Sequence, residues 1–189
     1  MGACSSWCKD AGLYSAVDLD EPVIHVSAVL KISDRRNAEI LRILNSRLAD
    51  MKDRLTKEQP DYMAWATHSQ STVAALTLQI RRAAVHDLPP GTFIGLLATD
   101  KHFEHKGYGR QLLRGVQAWM SAPEGIVAKV TWPLSLVVPT TGTEYALELL
   151  EKTDFKKGWD GKARVLKGKG KAQGEVFLFQ WWGTEPHDQ

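Results

Sequence analysis

Cysteine is scarce in this chain: Cys4 and Cys8 are the only two, and both lie near its start. A disulfide framework spreads its cysteines through a small secreted domain, so this pattern argues against one and points to a reducing compartment. Long apolar runs are also missing. None approaches the roughly 20 residues needed to span a bilayer, and the first residues lack the basic stretch and apolar core of a secretory signal. A soluble, cytoplasmic protein is expected. Net charge is small, with 24 Lys and Arg against 22 Asp and Glu, so no whole-chain field calls for nucleic acid or an anionic membrane. There is no internal repeat, and no metal is expected. The one biased stretch, Lys167-Gly168-Lys169-Gly170-Lys171, has the composition of a hairpin tip.

What is present suits one globular unit: 43% hydrophobic and 24% charged residues in a chain of 189 allow a sizeable core. Residues 21–189 are expected to form that single domain, with 1–20 a flexible N-terminus. Met1-Gly2-Ala3-Cys4-Ser5-Ser6 fits the pattern for N-myristoylation at Gly2, with Cys4 or Cys8 available for a second lipid. So short a pattern also recurs by chance, and a lone myristoyl chain holds a membrane only weakly.

Val23-Ile24-His25-Val26 suits a short strand. From Asp34, apolar Ile40, Leu44, Leu48, Met51 and Leu55 recur at intervals of three and four, predicting an amphipathic helix that stops near Pro60. Val73, Leu76, Ile80 and Ala83 have the same spacing and predict a second helix, beginning at Ser71 or Thr72 and ending before Leu88-Pro89-Pro90-Gly91. The run from Thr92 to Thr99 is apolar and free of proline, so it reads as a buried central strand. Leu112, Leu113, Val116 and Met120 then give a helix, Leu134 to Val138 a second buried strand, and Thr141 with Glu144 a capping box for a helix to about Lys152. Ile126 to Trp132 reads either as an extra strand or as an extension of the one after it. Ala163 to Leu166 and Glu175 to Phe179 return to strands.

The chemistry concentrates between the first buried strand and its helix. Gly107 and Gly109 sit where free backbone N–H groups and the helix dipole favour an anion such as a pyrophosphate. Glycine lets the main chain approach closely, and His105, Lys106 and Arg110 add donors beside it. A plain strand-to-helix turn with a solvated basic face would have the same composition.

In this segment, from Leu96 through Asp100, Glu104, Gly107 and Gly109 to Leu113, the chain resembles motif A of the GNAT acetyltransferase superfamily: a strand, then Gln or Arg, two residues, Gly, one residue, Gly or Ala, and a Leu-rich helix. It looks closest to the fungal style of that family. Glu104 stands where the family has Gln or Arg, placing a carboxylate near the expected pyrophosphate; Asp100-Lys101 replaces the common His-Pro. Motif B is similar to Ala146, Leu149, Leu150, Asp154 and Phe155, with Leu150 in place of a tyrosine and Asp154 in place of a glycine. The resemblance covers about Thr92 to Phe155 and leaves the first ninety residues unmatched.

The resemblance implies an α/β (α+β) fold, a mixed central sheet flanked by helices. The strands of 92–99 and 134–138 should be neighbours that splay at their C-terminal ends to form an acetyl-CoA cleft. It implies direct transfer of acetyl to an amine, a small molecule being the expected acceptor, in a ternary complex. The main chain of Leu97, Ala98 and Thr99 would pair with the pantetheine arm, and His105, Lys106, Gly107, Tyr108, Gly109 and Arg110 would hold the pyrophosphate. The family's tyrosine at position 150 protonates the leaving thiolate, so Leu150 should slow transfer without abolishing it. Asp100, His68, His86 and Glu144 are candidate bases by residue type alone, and each is equally an ordinary surface group. Trp65, Trp119, Trp132, Trp159, Trp181 and Trp182 would line an aromatic acceptor pocket or fill the core. The competing readings are a fold that binds an acyl-CoA or a partner without turnover, and a basic surface module built on the lysines from Lys156 to Lys171.

Overall fold

A computed structural model describes residues 21–47, 60–84, 88–122, 131–139, 144–161 and 176–183. Among the described residues ten α-helices and β-strands follow one another: β1 (Val23–Ala28), α1 (Asp34–Arg47), β2 (Tyr62–His68), β3 (Ser71–Arg81), β4 (Gly91–Thr99), α2 (Tyr108–Ser121), β5 (Leu134–Pro139), α3 (Glu144–Glu151), β6 (Lys156–Gly161) and β7 (Val176–Trp181). The strands form one seven-stranded sheet in the order β1-β2-β3-β4-β5-β7-β6. Among the described strands β4 and β5 run parallel, joined through α2, and the other neighbours are antiparallel. The sheet is mixed, open and flanked by helices, as expected from the resemblance.

Helices cover both faces. Ile40, Ile43 and Leu44 of α1 pack on Met63, Trp65, Ala75, Leu96 and Ala98. Leu112, Leu113, Val116 and Met120 of α2, with Leu150 of α3, pack on Ala64, Ala66, Ala74, Leu76, Leu78 and Ile94. A strand between two such layers is apolar on both sides, and that corrects one expectation: residues 71–81 are a strand, not a helix. Every residue from Thr72 to Leu78 is buried, so the spacing of Val73, Leu76 and Ile80 marks no single face. An apolar run buried on both sides does not reveal its period, whereas β-branched Thr72, Val73, Thr77 and Ile80 favour extended backbone. Ala83 lies beyond the strand.

The α1 helix is described only as far as Arg47; Leu48, Met51 and Leu55 lie outside the described residues. So do the N-terminal segment with Gly2, the capping residue Thr141, most of the stretch from Ile126 to Trp132, and the expected strand from Ala163 to Leu166. Among the described residues no helix is long and apolar enough to cross a membrane.

Candidate acyl-donor cleft

The cleft begins with a bulge in β4. Leu78 pairs with Ile94 but Leu76 pairs with Leu97, so β4 carries one more residue than β3 across this interval. The Leu96 N–H donates to Thr77 Oγ1 at 3.0 Å, in place of a ladder partner. A Cβ at Gly95 would stand 2.9 Å from the same oxygen, so a side chain there would press on the hydroxyl that pins the bulge. One extra residue changes the parity of the strand. Ile94 and Leu97, three apart, therefore both pack on the α2 side, while Leu96 and Ala98 pack under α1.

At the bulge β4 also loses β5. The two strands share the register pairs Thr92↔Leu134, Phe93↔Ser135 and Ile94↔Leu136 and no others, although β4 continues to Thr99 and β5 to Pro139. From Gly95 onward the β5-facing edge of β4 makes no ladder to that strand. Buried backbone polar groups require partners, so an edge parted in this way suits an extended ligand carrying amides of its own.

Beyond Thr99 the chain is fastened before it enters the glycine loop. The Asp100 N–H donates to Val73 O at 2.8 Å, and the Asp100 carboxylate accepts from the His102 N–H at 3.0 Å and from Arg42 Nη2 of α1 at 2.9 Å. Asp100 is thus a buried cap tied to α1, a poor candidate for a base. Burial alone would raise its carboxyl, but the hydrogen bonds from His102 and Arg42 outweigh burial and hold it below the ordinary carboxylate value. A native value below the unfolded one means stability that is full above the unfolded pKa of about 3.9 and lost as pH falls through the native value. Urea denaturation followed from about pH 7 to about pH 3 should therefore show Asp100→Asn less stable than the parent at the upper end and less sensitive to acid below it.

Gly107, at φ 83°, is the residue before α2 in left-handed backbone. The amides that open α2 are those expected to meet an anion, and Arg110 Nη2 stands 3.8 Å from where a Gly107 Cβ would be. A Cβ at Gly109 would stand 3.4 Å from Thr99 Oγ1 and 4.0 Å from Leu149 Cδ2. That glycine therefore faces the interval between the end of β4 and helix α3, which is the mouth of the parted strands. Lys106 is exposed and lies over the Phe103 ring, 5.2 Å from its centroid. Tyr108 is 8% exposed and packs on His68 and Phe103, so its side chain belongs to the core and only its main chain faces the loop. Ala98, buried under α1, offers main chain alone, whereas Leu97 and Thr99 are half-exposed on the α2 side. Glu104 is half-buried.

Helix α3 shows what two departures from motif B do. Leu150 is fully buried in the core and is not a wall of an open cleft. Asp154 adopts φ 61°, left-handed backbone in which aspartate is tolerated better than most side chains. The Phe155 N–H donates to Leu150 O at 3.0 Å, closing a Schellman cap whose apolar pair, Leu150 and Phe155, lies in the core. Asp154 thus does the backbone work of the glycine it replaces. Gln117 Nε2 donates to Thr153 O at 2.6 Å and ties α2 to the end of α3.

Of the other expected groups, His68 lies 5.5 Å from the Tyr108 ring, His86 is outside the described residues, and the Glu144 side chain is outside them too. Trp65, Trp119 and Trp181 are core residues, Trp132 is half-buried, and Trp182 is 64% exposed; the side chain of Trp159 is not among those described. A separate cleft of about 450 Å³ lies beside the amino end of α1, lined by His25, Ser33, Arg35, Arg36, Glu39, Thr67 and Gln70. Arg36 is held there by Glu39 at 2.6 Å and Thr72 at 2.7 Å. No residue of the glycine loop lines it.

No protein-family model matches the sequence, and no curated protein matches it. Solved structures do. The ribosomal-protein-S18-alanine N-acetyltransferase from Escherichia coli aligns with 88% of this chain and 98% of its own at TM-score 0.58 and 14% identity. A GNAT family acetyltransferase from Elizabethkingia anophelis with acetyl-CoA bound aligns with 86% and 99% at TM-score 0.58 and 16% identity. NAA60 from Arabidopsis thaliana in complex with acetyl-CoA aligns with 84% and 99% at TM-score 0.55 and 13% identity. At these identities the likeness is one of fold: the chain has the GNAT fold.

Proposed function

We propose that this chain is an acetyl-CoA-dependent N-acetyltransferase that acts on a small-molecule amine by direct transfer in a ternary complex. The parting of β4 from β5 after Ile94↔Leu136, beside the glycine-preceded amino end of α2, carries the reading. Acetyl-CoA is bound in two of the similar structures, which supports the same donor for this chain. The unladdered edge from Leu97 to Thr99 offers main-chain partners to the pantetheine amides. The amides after Gly107, with Lys106 and Arg110, meet the pyrophosphate, and Gly109 leaves the mouth open.

In this arrangement the protein places rather than reacts. A β4 amide near Leu97 polarises the thioester carbonyl, and the strand holds the carbonyl carbon in line with an incoming neutral amine. The amine nitrogen bonds to that carbon, the C–S bond breaks, and the nitrogen's proton passes to water or a base. Leu150 offers no hydroxyl to the departing thiolate, so solvent protonates it.

A second reading, binding of an acyl-CoA without turnover, is favoured by the full burial of Leu150 and the tying of Asp100 to Arg42 and His102. Thermal melting with and without acetyl-CoA, followed by thiol release with a panel of amines, separates the two. Ligand at about 100 times its Kd adds about 2.7 kcal/mol of stability. A raised melting temperature with thiol release supports the enzyme; a raised melting temperature without it supports the binding protein; an unchanged melting temperature removes both.

A further inference from the structure

Tyr145 is 73% exposed, the most exposed large apolar side chain among the described residues. It is not alone on the surface: its ring lies 5.6 Å, centroid to centroid, from that of His105 in the glycine loop, at an interplanar angle of 59°. Tyr145 and Leu149 are four residues apart on α3 and so share one face. Leu149 is the side chain that a Cβ at Gly109 would approach. The face of α3 that carries both residues is therefore turned to the loop and to the first turn of α2. Tyr145 stands about one helical turn, roughly 5.4 Å, nearer the amino end of α3 than Leu149.

This order sets out what an incoming acetyl-CoA would meet. Its acyl and pantetheine end reaches innermost between β4 and β5, and its diphosphate lies at the amides of 107–110. The nucleoside, beyond the diphosphate, would then lie outside the parted strands, level with the ring pair. His105 is also held in left-handed backbone at φ 60°, a conformation of some cost to a residue with a Cβ, and in it the imidazole sits against Tyr145. The exposed face of the Tyr145 ring, braced by the tilted His105 imidazole, bridges the loop and α3 and offers a surface on which a purine can stack.

We propose that His105 and Tyr145 form a platform for the adenine of the acyl donor, so that the protein recognises the nucleotide end as well as the pantetheine. The inference rests on the acetyl-CoA reading above, and the experiment keeps the two apart. Calorimetry is run with acetyl-CoA and with acetyl-4′-phosphopantetheine, which keeps the thioester, the arm and one phosphate but lacks adenosine, on the wild type, Tyr145→Ala and Tyr145→Phe. Exposure of Tyr145 makes both variants safe for folding, which an unchanged melting temperature checks. The expected result is a loss in acetyl-CoA affinity of at least about fivefold in Tyr145→Ala, at the lower end of base–aromatic stacking, with near-wild-type binding in Tyr145→Phe and no change toward the phosphopantetheine. Equal losses for both ligands would make Tyr145 a wall of the slot and overturn the platform. Undiminished acetyl-CoA binding by Tyr145→Ala would overturn it too. If the wild type binds neither ligand, the acetyl-CoA reading falls and the platform with it.

Discussion

Gly109→Val is expected to lower acetyl-CoA affinity at least about a hundredfold, or about 2.7 kcal/mol, in a protein that still folds. The side chain would enter the interval between Thr99 Oγ1 and Leu149 Cδ2, where a lone Cβ already stands 3.4 Å and 4.0 Å from its neighbours. The branches of valine would fill the mouth of the parted strands. Gly109→Ala provides a control with opposing signs. Its Cβ makes ordinary contacts, and alanine in a helix is favoured over glycine by about 0.5–1 kcal/mol. The alanine variant should therefore melt higher than the parent without ligand and yet bind acetyl-CoA more weakly. Calorimetry beside ligand-free melting curves reads both. Unchanged affinity in a folded Gly109→Val protein would place the pyrophosphate site elsewhere.

The second large effect is expected at Thr77. Its hydroxyl accepts the Leu96 N–H at 3.0 Å, and the residue is 4% exposed. Thr77→Val keeps the shape, removes the acceptor, and leaves a buried N–H unsatisfied at a cost of about 1–3 kcal/mol. Urea denaturation should show a lower midpoint with an unchanged slope. Because the same hydrogen bond holds the bulge that sets the face of Leu97 and Thr99, the variant should also bind acetyl-CoA more weakly. Thr77→Ser, which keeps the oxygen, should restore both properties. A valine variant that loses stability but binds normally would separate the bulge from the cleft.

Gly109 stands out in the sequence and Thr77 does not, and the reason is physical. The strand from 92 to 99, the glycine loop and the following helix are legible because each is local: an apolar run, two glycines and a heptad-like spacing lie within some thirty consecutive positions. Leu134 to Pro139 and the helix from Glu144 are legible for the same reason. β3 is misread because burial on both faces erases the alternation that would identify it. β2 is unassigned by pattern because Ala64 and Ala66, fully buried, are poor markers of a strand. The bulge appears only when Leu76 and Leu97 are known to face each other, and the Arg42–Asp100 pair joins residues 58 positions apart. In the sequence Asp154 is a departure from a glycine position, and only its φ of 61° shows that the left-handed backbone a glycine would take is present there. The acceptor side is not legible in the sequence, since the candidate bases chosen by residue type prove to be a buried cap, packed against aromatic rings or outside the described residues.

The point at which β4 and β5 separate has one more consequence. Two strands that are hydrogen-bonded at Ile94 and Leu136 and apart beyond them enclose a wedge, and a wedge has an apex. Whatever slides in between them is halted where the ladder closes. On the proposed reading the acyl group travels at the tip of the donor, so the distance from apex to pyrophosphate loop acts as a ruler for chain length. On that reading acetyl would fit ahead of a fully seated pantetheine, while each added methylene would push the phosphates outward from the amides of α2. The same hydrogen bonds that hold the sheet together would then also set which acyl groups the protein can use.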